Sequence, residues 1–89
     1  RFLRAAAGYG IEVLRAAAQA FEDAQRWEGA RLGWVFVAAV EGDSADALYA
    51  QALAALHLGI RADIQGYLVR ALACDPAHRK SRELMELIR

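Results

Sequence analysis

The chain has 89 residues, with 11 basic and 11 acidic side chains, zero formal net charge and 57% hydrophobic residues. That length holds one core and not two, and roughly 60% of the unfolded surface is buried on folding at this size. The charge balance removes the electrostatic basis for binding nucleic acid or an anionic membrane surface, and the apolar content excludes a disordered chain.

The elements follow from the breakers. Alanine, the best helix former, supplies 21 residues; Asn and Thr are absent, and Pro76 is the only proline. A short helical segment, Phe2 to Ala7, precedes the turn Gly8-Tyr9-Gly10. Ile11 to about Ala24 carries neither Gly nor Pro and predicts a helix. Gln25-Arg26-Trp27-Glu28-Gly29 reads as a tight connection, and a second helix runs to about Val40. Gly42 suits a helix C-terminus, and Asp43 or Ser44 suits the N-cap of a third helix, about Ala45 to Leu58. Gly59-Ile60 closes it, and a fourth helix covers about Ala62 to Ala73. Asp75-Pro76 breaks again, with Pro76 placed in the first turn of a fifth helix, His78 to Arg89. Links this short predict antiparallel neighbours.

Other structural classes find little support. The only run rich in β-branched and aromatic residues is Trp34-Val35-Phe36-Val37. No stretch reaches the roughly 18 to 20 uncharged apolar residues of a membrane span. Cys74 is alone, so the fold requires no oxidising compartment, and a cytoplasmic setting is expected. The chain begins at Arg1 and not at Met, as a fragment or processed product would.

Sliding the chain against itself by 34 positions pairs Leu14 with Leu48, Ala18 with Ala52, Trp34 with Leu68 and Val35 with Val69. The breaks coincide too: Gln25-Arg26 falls opposite Gly59-Ile60, Gly42 opposite Pro76, and Asp43-Ser44 opposite Ala77-His78. A period of 34 built from helix, turn and helix is that of the tetratricopeptide repeat.

The copy Ala45–His78 resembles that family in Leu48, Ala52, Gly59, Leu68, Ala71 and the ending Ala71-Leu72-Ala73-Cys74-Asp75-Pro76. The copy Ile11–Ser44 keeps Leu14, Ala18, Phe21, Trp27, Ala30 and Trp34 at the corresponding positions. It departs at Gln25, where the family has glycine, and at Gly42, where it has proline. In the second copy Ala55 replaces an aromatic and Ile64 an alanine, which reads as a size swap at one contact. Residues 79–89 read as a cap helix, with Leu84, Leu87 and Ile88 in an apolar stripe, or as the start of a third copy. The resemblance implies an all-α stack of antiparallel hairpins wound as a superhelix. Two repeats fall short of the roughly three an array needs, so neighbours or self-association are expected to complete the core.

The family's inner face is lined by the first helix of each repeat. Carried over, that face is Glu12, Arg15, Gln19, Glu22 and Asp23 in the first copy and Asp46, Tyr49, Leu53, Leu56 and His57 in the second. Apolar anchors beside charges suit an extended peptide or an amphipathic helix of another protein. The resemblance therefore implies a non-enzymatic interaction scaffold, with no cofactor, no metal, no nucleic acid and no membrane insertion. The alternatives are a homo-oligomeric assembly module using Tyr49, Leu53 and Leu56, or a secretion chaperone shielding a client helix. Arg15 and Gln19 are similar to the Lys and Asn that grip a peptide carboxylate in some members, but Ala50 stands where the next Asn is needed.

The remaining reactive side chains have plain structural readings. Cys74 reads as a small core residue, Trp27 and Trp34 as core, Tyr67 as exposed and His78 as a linker residue. His57 reads as a polar groove tip or a C-terminal dipole partner. Glu22 and Asp23 are adjacent on a helix and point about 100° apart, which opposes shared acid–base chemistry. Gly8-Tyr9-Gly10 lacks the preceding strand and third glycine of a phosphate loop.

Overall fold

The computed structural model describes residues 10–88. Among them the chain is all-α, with five helices: α1 (Ile11–Asp23), α2 (Trp27–Glu41), α3 (Ala45–Leu58), α4 (Arg61–Cys74) and α5 (Arg79–Ile88). Consecutive helices pack on one another, and α5 also touches α3. The expected segment Phe2–Ala7, the start of the Gly8 turn and Arg89 lie outside the described residues.

Two of the helix ends share one geometry. After α1, Gln25 takes a left-handed conformation (φ 58°), and after α3, Gly59 does the same (φ 78°). The amide of Arg26 donates to the Phe21 carbonyl (2.8 Å) and that of Gln25 to Glu22 (3.0 Å). Thirty-four residues on, Ile60 donates to Ala55 (2.9 Å) and Gly59 to Leu56 (3.2 Å). These are the paired bonds that satisfy orphan carbonyls at a helix C-terminus. Glutamine adopts there, at some steric cost, what glycine adopts freely.

The next helix starts are equally local. Gly42 (φ 90°) stops α2, and the Ser44 hydroxyl accepts the Ala47 amide (3.2 Å) to cap α3. That helix is central: Ala45, Ala47, Leu48, Ala50, Gln51, Ala52, Ala54 and Ala55 are all buried. A helix covered on so many sides has no single apolar stripe, which is why its sequence reads apolar nearly all round.

The core is built in layers. Leu14 and Ala18 of α1, Trp34 and Val37 of α2, and Ala47 and Ala50 of α3 form one cluster. Ala52 and Ala55 of α3, Ile64 and Leu68 of α4, and Leu84 of α5 form the next. Burial recurs at an interval of 34: Leu14 and Leu48, Ala18 and Ala52, Ala30 and Ile64, Trp34 and Leu68, Val37 and Ala71 are all buried. So are Ala47 and Ser81, and Ala50 and Leu84, which brings α5 into the same register as α3. Ala55 and Ile64 share a cluster, as the size swap requires.

Several expectations are corrected. The second helix begins at Trp27, so Gly29 lies inside it and not in a connection. A Cβ at Gly29 would meet the Phe21 ring at 2.7 Å, and one at Gly33 would meet the Ala18 Cβ at 2.9 Å. Both glycines are therefore close-packing positions between α1 and α2. Pro76 lies in the turn before α5, not in its first turn. Cys74 is exposed, because the last turn of α4 carries it away from the core. Trp27 is half-buried and Phe21 remains 36% exposed, since nothing described covers that side of α1. Tyr67 is half-buried, its hydroxyl accepting from Arg31 (3.2 Å), which also pairs with Asp63 (3.3 Å).

Candidate partner-binding face

The ten residues expected to form one face lie on α1 and α3. On α1, Glu12, Arg15, Gln19 and Asp23 recur at helical spacing, with Glu22 beside them. Glu12, Gln19 and Asp23 are exposed, and Gln19 donates to Asp23 (3.0 Å). Arg15 is held by Glu41 at the end of α2. That hydrogen bond raises the guanidinium pKa above its ordinary value; burial opposes the shift, and the charges of Glu41 and Asp46 assist it. Arg15 of α1 thus lies within electrostatic reach of Asp46 of α3. Glu22 accepts the indole N–H of the buried Trp34 (3.1 Å), which satisfies a donor the core would otherwise strand.

On α3, Tyr49 is half-buried between the flanking helices. Burial first, then the negative charges of Glu22 on α1 and Glu83 on α5, raise its phenol pKa above 10.0. Leu53 is half-buried and Leu56 exposed. His57, in the last turn of α3, stacks flat on Trp27 with ring centroids 3.9 Å apart and planes 4° apart. It belongs to the hairpin end, where it shields the indole.

The fold therefore gathers Arg15 and Glu22 of α1 with Asp46 and Tyr49 of α3. It adds His78 and Glu83, which the sequence reading left out. His78 Nε2 lies 2.8 Å from Asp46 Oδ1, and its ring lies 5.8 Å from that of Tyr49. Its Nδ1 accepts the Ser81 amide (3.3 Å) and faces the Ser81 hydroxyl at 2.7 Å. His78 is thus the N-cap of α5 and not a mere linker. The signal was present: the 34-residue register sets His78 opposite Ser44, the N-cap of α3.

The order Asp46, His78, Ser81 has the residue types of a hydrolase relay, yet its geometry is that of a cap. Ser81 is completely buried, so a substrate carbonyl has no approach to its hydroxyl. Accepting at Nδ1 leaves the imidazole hydrogen on Nε2, directed at Asp46. The carboxylate clamp fares no better, because Arg15 is committed to Glu41 and Ala50 is buried.

Among the described residues, no group of three or more His, Cys, Asp or Glu is placed to hold a metal. No helix there is long and apolar enough to cross a membrane. Comparison of the chain with protein families, curated proteins and solved structures finds no match.

Proposed function

We propose that this chain is a non-enzymatic, tetratricopeptide-like scaffold that binds a peptide or amphipathic helix of another protein on the face formed by α1 and α3. The observation that carries the reading is the recurrence, at 34 residues, of both core positions and the left-handed helix ends at Gln25 and Gly59. Such recurrence is what stacked hairpins of one register require, and stacking leaves the first helix of each pair free on one side. That side carries the carboxylates Glu12, Glu22, Asp23 and Asp46 beside Tyr49, Leu53 and Leu56. A partner with apolar side chains interleaved with Lys or Arg complements this mixture.

Peptide display against the immobilised domain supplies probes without a named partner. Selected peptides are then titrated into the double variant Leu53→Glu, Leu56→Glu, with helicity followed by circular dichroism. Affinity is expected to fall about tenfold or more while helicity is kept. Unchanged affinity in a folded variant removes this face from the account.

A further inference from the structure

The outer side of the first hairpin repeats an interface that is closed elsewhere in the same molecule. On α3, Ala47, Ala50 and Ala54 are all buried, the first two in the cluster with Trp34 and Val37 of α2. Thirty-four residues earlier, α1 carries Val13, Ala16 and Ala20 at these positions, all exposed, Val13 by 51%.

The mate of such a face is on the page as well. Helix α2 seats Trp34 and Val37 inward, yet Leu32 (51% exposed), Val35, Ala39 and Val40 (55%) remain exposed. Leu32 lies about 200° round the helix from Trp34, and Ala20 about 240° from Leu14, so both point away from α3. Five of the eight large hydrophobics exposed among the described residues fall on this hairpin: Val13, Phe21, Leu32, Val35 and Val40. Small residues on α1 and large ones on α2 are the two halves of a contact like that between α3 and α2. They sit side by side on one hairpin, so a single molecule cannot close one on the other.

We infer that this hairpin is a self-association surface, whose occupant is the same hairpin of a second copy, with α1 of each against α2 of its mate. A two-fold arrangement of this kind is isologous and closed. Head-to-tail stacking is opposed at the other end: Arg79, Arg82 and Glu86 hold the register positions of Ala45, Leu48 and Ala52, and all three are exposed. The chain carries zero net charge, so two copies meet without overall repulsion. The proposed partner face adjoins it: Glu12 and Asp23 border Ala16 and Ala20 at helical spacing, whereas Arg15 and Glu22 turn away, toward Glu41 and Trp34.

Sedimentation equilibrium from micromolar to millimolar concentration tests the inference on the full chain. The wild type is expected to reach twice its monomer mass, and Ala20→Arg or Leu32→Glu to weaken dimerisation about tenfold or more. Val69→Glu, at an exposed position of α4, is the control expected to leave it unchanged. In a Cys74→Ser background, Ala20→Cys chains mixed with Leu32→Cys chains are expected to form a mixed disulfide. A chain that stays monomeric, a dimer insensitive to both substitutions, or one broken by Val69→Glu overturns the inference. Circular dichroism guards against misfolding: if Ala20→Arg or Leu32→Glu loses helicity, the mixed disulfide decides alone, and its absence also overturns the inference.

Discussion

His78 on the α4–α5 link reaches Asp46 in the first turn of α3, with 2.8 Å between Nε2 and Oδ1, while its other ring nitrogen caps α5. One side chain therefore both starts the last helix and ties that start to the central one. His78→Ala removes both interactions and is expected to cost about 1–2 kcal/mol. His78→Asn restores a capping acceptor without the reach to Asp46, so it recovers only part of the loss. Urea denaturation of the three proteins measures the order; equal stability of wild type and alanine variant refutes the assignment.

The contact of α1 with α2 depends on the missing side chain of Gly33. A Cβ there lies 2.9 Å from the Cβ and 3.0 Å from the Cα of Ala18, so backbone must move. Gly33→Ala is expected to destabilise by about 1–3 kcal/mol despite its better helix propensity. Gly66 has nothing within 4 Å of the corresponding point, and Gly66→Ala is expected to stabilise by about 0.5–1 kcal/mol. Thermal melts of the two variants are therefore expected to move in opposite directions.

Gln25 and Gly59 occupy equivalent left-handed positions with different chemistry. Gln25→Gly relieves the Cβ clash and is expected to gain a few tenths to about 1 kcal/mol, net of the added unfolded-state entropy. Gly59→Gln imposes the same clash on the second hairpin and is expected to cost about 1 kcal/mol. Paired denaturant curves check both signs, and a loss on Gln25→Gly refutes the steric account.

What the sequence discloses divides along physical lines. Both ends of helix α3 are legible in the sequence, because Ser44 and Gly59 act on the backbone beside them. The buried set at the 34-residue interval was legible in Leu14, Leu48, Trp34 and Leu68, since periodicity reports a helix's apolar side. Periodicity does not report whether a neighbour covers that side, and hence Phe21, Trp27 and Cys74 came out more exposed than expected. Gly29 read as a break because glycine's commonest use is in turns; here it admits the Phe21 ring. Of the proposed face, Arg15, Glu22, Asp46 and Tyr49 converge, whereas His57 is drawn onto Trp27 by a stacking partner distant in sequence. Histidine is an uncommon cap, so residue type does not mark His78 as one; only its register position opposite Ser44 does.

Tyr49 links the face to alkaline stability. Its phenol is half-buried and flanked by Glu22 and Glu83, and both burial and charge disfavour the phenolate. The folded pKa therefore lies above the unfolded one, so the folded chain holds the proton more tightly. The resulting stabilisation is complete below the unfolded value near 10.0 and is lost as pH rises from there through the folded pKa. Tyr49→Phe has no proton to lose, and its stability is expected to fall less steeply over that window. Melting temperatures from pH 8 to 11 compare the two proteins, with tyrosinate absorbance following the ionisation itself. Parallel curves mean that Tyr49 titrates alike in the folded and unfolded chain, and that Glu22 and Glu83 do not meet at its ring.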